Sequence, residues 1–294
     1  MTNLAEFISD HNQTILLDGA MGTQLMEFGV EMGGQTNISH PEAVSAVHHR
    51  YAETGIDIII TNTLTMNRVF IETHKIGVDV REVNLVGVKI ARATTHEGQY
   101  VLGDMSSTGK LLQPSGTLSE QDAYKAFREQ AAILVEGGVD GLIIETMFDL
   151  KEALCALYAC KAVTGLPVIV SMTFDTTRNG GRTIMGNSAR DCAKALTDAG
   201  ATVVGTNCGS VDPFQMAEIV SMMRKVTSLP IIAQPNAGRP RMVAGQTVFD
   251  MTPPDFVEGV RQCIKAGARL VGGCCGTSPD HIQALADKLK STPS

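Results

Sequence analysis

Residues 136–146, EGGVDGLIIET, set the pattern of the whole chain: a polar stretch closes on two glycines, and an apolar run ends in an acid. Glycine at a helix end supplies the left-handed cap that a side chain disfavours. The apolar run Leu142–Ile144 lacks the polar alternation of a half-exposed strand, so it reads as a strand buried on both faces, as in a parallel sheet. The same signature returns at 54–62 (TGIDIIITN), 198–207 (DAGATVVGTN) and 265–273 (KAGARLVGG). Proline-opened variants stand at 164–172 (TGLPVIVSM) and 227–234 (TSLPIIAQ).

Outward from that stretch the chain divides into eight strands: Ile15–Asp18, Ile58–Thr61, Tyr100–Asp104, Leu142–Glu145, Val168–Met172, Val203–Thr206, Ile231–Gln234 and Leu270–Gly272. Helices are predicted over Pro41–Thr54, Val80–His96, Glu120–Glu136, Leu150–Val163, Ser188–Ala199, Pro213–Val226, Pro254–Ala266 and Pro279–Lys290. Eight strands, each followed by a helix, predict an α/β fold, the closed (β/α)8 TIM barrel. An open doubly wound sheet is the runner-up, disfavoured because no G-x-G-x-x-G follows the first strand. No linker or composition shift divides residues 1–294, so one barrel domain with its core at about 14–290 is expected.

Of the residues, 44% are hydrophobic and 19% charged, and the formal net charge is −7. A diffuse negative charge without a Lys/Arg cluster argues against nucleic acid or an anionic membrane as partner. The N-terminus lacks a signal-peptide pattern and no apolar run is long enough to span a bilayer, so a cytoplasmic location is expected. Seven cysteines, an odd number, argue against a disulfide framework. Cys155, Cys160, Cys192 and Cys263 fall within predicted helices and read as small core hydrophobes.

The residues at or just past the strand ends are of a different kind. They are Asp18-Gly19, Asn62, Asp104, Glu145, Thr173, Asn207-Cys208, Asn236 and Cys274-Cys275. In a barrel these positions ring the C-terminal mouth, where active sites lie. Cys208 follows the sixth strand and Cys274-Cys275 the eighth, near enough to share an ion. By itself the Cys-Cys pair fits two core residues, a redox pair or a metal site. The Gly-rich turn 272–280 (GGCCGTSPD) also fits a phosphate site, although phosphate gains nothing from thiols. Cys208 tips the reading to metal. Three thiolates suit Zn²⁺ and leave one of its four positions open, as in catalytic sites. A thiol substrate in that position loses its proton and stays nucleophilic, so thiol alkylation is favoured over hydrolysis. Asp18 and Glu145 are candidates for a substrate ammonium group, and the N–H groups of the Gly19-Ala20-Met21-Gly22 turn for a carboxylate. No lysine ends a strand, against Schiff-base chemistry, and no histidine falls on this rim.

With these residues placed, segments 16–25 (LLDGAMGTQL), 61–63 (TNT) with Asn67-Arg68, 143–149 (IIETMFD), 207–209 (NCG), 234–240 (QPNAGRP) and 271–282 (VGGCCGTSPDHI) resemble, in order, the motifs of the homocysteine S-methyltransferase family. The resemblance runs from about Thr14 to Leu289. It implies a (β/α)8 barrel in which Zn²⁺ on Cys208, Cys274 and Cys275 activates homocysteine for methylation to methionine. It implies homocysteine contacts from Asp18, Gly19 and Glu145, with Asn236 near the open position; Ala20, Met21 and Asn62 complete the expected pocket. The DGAMGT, ETMFD and PNAG segments are similar to the homocysteine module of cobalamin-dependent methionine synthases, whose folate, cobalamin and activation modules are not in these 294 residues. Methyl delivery by methylcobalamin on a separate corrinoid protein is therefore expected. Direct use of S-methylmethionine or a betaine is the alternative, and a non-catalytic zinc or amino-acid binder is the alternative of another class.

Overall fold

The computed structural model describes residues 3–10, 13–243 and 245–291. Eight parallel strands form one sheet in the order β1-β10-β7-β6-β5-β4-β3-β2. They are β1 (Ile15–Leu16), β2 (Ile58–Ile60), β3 (Tyr100–Met105), β4 (Gly141–Met147), β5 (Val168–Met172), β6 (Val203–Asn207), β7 (Ile231–Gln234) and β10 (Ala268–Val271). A parallel bridge between Leu17 and Ile58 joins the outer strands, so the sheet closes on itself as a (β/α)8 barrel. β8 (Arg241–Val243) and β9 (Gln246–Val248) pair separately as an antiparallel hairpin in the loop after β7.

The eight expected helices are present. They are α4 (Pro41–Ala52), α6 (Val80–Thr94), α7 (Glu120–Glu136), α8 (Leu150–Lys161), α9 (Ala189–Asp198), α10 (Pro213–Arg224), α11 (Pro253–Lys265) and α12 (Pro279–Lys290). Several start sharply because a short polar side chain takes an orphan N–H of the first turn. Asp79, Ser119, Ser188 and Thr252 accept from the third residue on, and Asp212 with Gln215 forms a reciprocal capping box. The alternation missed four short helices: α1 (Leu4–Asp10), α2 (Gly22–Glu27), α3 (Thr36–Ser39) and α5 (Arg68–His74). None exceeds seven residues, too short to build a 3.6-residue period. No helix among the described residues is long and apolar enough to cross a membrane.

Two apolar layers result. One lies between the sheet and the helices, around Val44, Val101, Phe127, Leu142, Val170 and Phe256. The other fills the barrel with the inward residues Ile15, Leu17, Ile58, Ile60, Tyr100, Leu102, Ile143, Ile169, Val203, Ile232 and Leu270. Leu4 and Ile8 of α1 belong to that inner layer, so α1 plugs the N-terminal end of the barrel. Phe7 packs on Tyr100 with ring centroids 4.9 Å apart, and the Arg269 guanidinium donates to the Ile8 carbonyl.

Candidate metal centre and amino-acid pocket

Side chains alternate along a strand, so the apolar inner layer fixes which residues point inward nearer the C-terminal end. After Tyr100 and Leu102 the next inward residue of β3 is Asp104, and after Ile143 of β4 it is Glu145. After Ile169 of β5 it is Ser171, and after Ile232 of β7 it is Gln234. The interior thus changes from wholly apolar to polar in its last layer.

Above that layer stand the three cysteines. The Sγ atoms of Cys208, Cys274 and Cys275 all lie within 4.8 Å of one another, and Cys208 and Cys275 are 3.9 Å apart. The three thiols are unequal in their hold on protons. Hydrogen bonds from Cys208 and Cys274 pull Cys275 down to about 4, whereas its bonds to Cys208 and Cys275, together with burial, push Cys274 well up. Adjacent half-buried thiols resist ionising together, and three thiolates at this spacing call for a cation among them. Soft donors in a triangle of this size fit Zn²⁺.

The backbone that carries them is held under strain. Cys208 has φ 56°, a left-handed conformation costing a non-glycine residue about 1–3 kcal/mol. At the end of β4, Thr146 has φ 57°. One side chain pins both turns: Asn207 Oδ1 accepts from the Thr146 N–H (2.9 Å) and the Ser171 hydroxyl (2.8 Å). Its Nδ2 donates to Thr146 Oγ1 (2.8 Å) and lies 3.9 Å from Cys274 Sγ. Asn236 donates to the Gly209 carbonyl (3.0 Å), tying the β7 loop to the Cys208 turn.

The first and last loops are buckled together. The Gly273 N–H donates to the Asp18 carbonyl (2.9 Å), and a Cβ at Gly272 would stand 2.7 Å from that same oxygen, which only glycine permits. The Ala20 N–H donates to Thr277 Oγ1 (3.0 Å), and the Tyr51 hydroxyl donates to the Ala20 carbonyl (3.0 Å). Asp18 therefore sits beside the cysteine turn, its Oδ2 accepting from the Ile60 N–H at 2.9 Å. Burial pushes the Asp18 carboxyl well above the ordinary range against the lowering effect of that bond, and Glu145 adds to the rise. Glu145 is pushed up to about 8 by burial and by Cys208.

Of the candidate pocket residues, Asp18, Glu145 and the three cysteines are coupled by charge at one end of the barrel. Gly19, Ala20 and Met21 form the turn beside them, although the Ala20 N–H is spent on Thr277. Asn62 stands at the end of β2 with its Nδ2 given to Thr36 Oγ1 (2.9 Å) and Asn37 Oδ1 (3.1 Å), where it anchors the first loop. Two roles escaped the sequence reading. Asp104 stands on the rim, and counting inward positions on from Tyr100 and Leu102 aims it at the barrel interior. Nothing in the sequence signals the bracing by Asn207. The histidines stay apart: His281 caps α12 through Ser278, and His48 is buried in α4 with both ring nitrogens unpartnered among the described residues.

A closed parallel barrel thus carries three convergent thiols and buried carboxylates at its C-terminal mouth. The family model for homocysteine S-methyltransferase matches residues 15–289, and the chain belongs to that family of methyltransferases. It is 30% identical to methionine synthase of Mycobacterium leprae and 29% identical to that of Mycobacterium tuberculosis, over 97% of this chain in each case. The chain spans about a quarter of the length of these relatives, 25% of each. Among solved structures, the metallated form of the homocysteine methyltransferase MmuM from Escherichia coli superposes with a TM-score of 0.77 at 22% identity, over 95% of this chain and 98% of that one. The carboxyl transferase domain of Rhizobium etli pyruvate carboxylase shares the fold more distantly, with a TM-score of 0.54 at 14% identity over 96% of this chain and 47% of that one.

Proposed function

We propose that this chain transfers a methyl group to the sulfur of homocysteine, yielding methionine, with Cys208, Cys274 and Cys275 as ligands of a catalytic Zn²⁺. The observation that carries the reading is the triangle of thiols within 4.8 Å, set at the same mouth as Asp18 and Glu145. Zn²⁺ bound there supplies a Lewis acid that favours the thiolate form of a substrate thiol at neutral pH. The chain's own residues do the rest. Asp18 and Glu145 hold the substrate ammonium group, and the Gly19–Met21 turn lies against its carboxylate. Asn207 and Asn236 keep the Cys208 turn in place, which fixes the direction from which the sulfur is presented. Residues 14–290 then act as one catalytic module.

For the methyl donor, we propose a corrinoid protein that docks over the mouth. Exposed large hydrophobic residues favour this reading. Met26, Phe28 and Met32 lie in the loop after β1, Ile184 and Met185 after β5, and Met242 on the hairpin after β7. Ile184 and Met242 are 76% and 71% exposed, and apolar side chains gathered at one end of a molecule mark a protein-facing surface.

The test is a methyl-transfer assay with homocysteine as acceptor. Donors are a methylated corrinoid protein, free methylcobalamin, S-methylmethionine, glycine betaine and methyltetrahydrofolate. Transfer from the corrinoid donors is expected. Turnover with S-methylmethionine or betaine alone would replace the donor, and no turnover with any of the five would end the catalytic reading. Zinc content of the wild type against Cys208→Ala tests the ligands; equal stoichiometric zinc in both rules the assignment out.

A further inference from the structure

Asp104 ends the inward row Tyr100–Leu102–Asp104 of β3, above two apolar side chains. It is 5% exposed, and among the described residues its Oδ1 has no hydrogen-bond partner. Burial, Glu145 and Asp18 together push its carboxyl well above the ordinary range. Among the described residues none of these three acids forms an ion pair. Three further buried acceptors of this mouth stand without donors: Glu145 Oε2, Gln234 Oε1 and Asn236 Oδ1. Gln234 and Asn236 are 2% and 1% exposed.

Buried polar atoms are nearly always paired, and a buried acid among like charges destabilises the fold that holds it. The four unpartnered buried atoms of this mouth, Asp104 Oδ1, Glu145 Oε2, Gln234 Oε1 and Asn236 Oδ1, are all acceptors, and they call for a ligand that brings N–H groups and positive charge together. A primary ammonium brings three N–H groups and one charge.

We infer that Asp104 is the third carboxylate of an ammonium site shared with Asp18 and Glu145, and that it makes the pocket select an amino thiol over the same thiol without its amine. The inference rests on the proposed placing of the amino acid at Asp18 and Glu145. A site built around a donor rejects an analogue lacking it, because its own buried groups are then left unpaired.

The test compares the zinc-loaded wild-type chain with Asp104→Asn by calorimetric titration with homocysteine and with 4-mercaptobutanoate, which is homocysteine without the amine. The variant is expected to raise the homocysteine Kd by about 10–100-fold, the loss typical of one charged hydrogen bond. The 4-mercaptobutanoate Kd should change by less than about threefold, because that thiol offers Asp104 no donor. The ligand-free variant should melt about 2–4 °C higher, because the substitution removes a buried acid without a partner. A residue of purely structural role would lower the melting temperature and weaken both thiols alike, and that result overturns the inference. So does a wild type that binds both thiols equally. A wild type that prefers homocysteine strongly, loses the preference on Asp104→Asn, yet transfers no methyl from any donor removes the proposed reaction and leaves the role of Asp104 in place.

Discussion

At its N-terminal end the barrel is sealed by Leu4 and Ile8 of α1, by Phe7 against Tyr100, and by the Arg269 guanidinium on the Ile8 carbonyl. At its C-terminal end Asp18 and Asp104 are buried beside the half-buried Glu145, three thiols crowd together, and Cys208 and Thr146 sit in left-handed conformations. Both ends belong to the same strands, some only four to seven residues long. One end is sealed by apolar packing and holds the barrel together, although Arg269 Nε finds no partner there among the described residues; the other leaves Asp104 Oδ1, Glu145 Oε2, Gln234 Oε1 and Asn236 Oδ1 unpartnered, and each of these is something a ligand can complete. Such a division follows from placing function at strand ends while stability comes from the layers beneath.

The largest effect expected on this contrast is at the thiols. Cys208→Ala should abolish stoichiometric zinc binding while leaving the far-ultraviolet circular dichroism unchanged, because this chain has apolar layers enough to fold without metal. Unfolding of the barrel on loss of the metal would break the contrast. At the opposite end, Ile8→Ala should cost about 2–5 kcal/mol in denaturant titration. Zinc content and homocysteine affinity should then stay at wild-type values, measured by metal analysis and calorimetry.

Between the two ends lies His48, fully buried in α4 without a partner and lowered to about 4 by burial. Its folded pKa is below the unfolded value of 6.5, so the unfolded chain binds the proton first as the pH falls. Stability associated with neutral His48 is complete above 6.5 and drains away toward about 4. His48→Leu should remove that dependence, with a difference from wild type on the order of 3 kcal/mol by the low end of the window. Denaturation midpoints at several pH values give the comparison.

Asn207→Ala should weaken zinc affinity by about 10–100-fold, as loss of a bracing partner commonly does, and lower the melting temperature, because the Thr146 N–H and the Ser171 hydroxyl lose their buried acceptor. A competition titration against a chelator reads it, and unchanged affinity would show that the strained turns hold themselves. The smallest effect belongs to the rim. Ile184→Ser with Met242→Ser should move stability by less than about 0.5 kcal/mol. Transfer from a methylated corrinoid protein should slow, and transfer from free methylcobalamin should not. Equal slowing with both donors would remove the rim from docking.

How much of this was legible in the chain depends on how local each signal is. The eight βα units could be read because most carry local punctuation: a glycine or proline before the strand, a short apolar run, and a polar cap before the next helix. The same counting put Cys208, Cys274 and Cys275 past strand ends. It gave strand ends loosely; β4 runs on to Met147 where the apolar pattern stops at Glu145, because pairing with Met172 of β5 continues past the apolar run. It saw Asn62 as a pocket residue, although the structure commits its amide nitrogen to Thr36 and Asn37.

By itself, then, the sequence determined the number and order of the eight βα units and which residues end the strands, since helix caps and apolar runs are short-range features. Only the tertiary structure decided which of those residues meet. Barrel closure through Leu17 and Ile58 turns alternation along separate strands into a shared interior, so that Asp104 and Glu145 face the same space. It brings Asn207 across to Thr146, Gly273 to Asp18, and Cys208 to Cys275, pairs separated by 61, 255 and 67 positions in the chain. Contacts of that range depend on closure and register, to which no short stretch of sequence is sensitive.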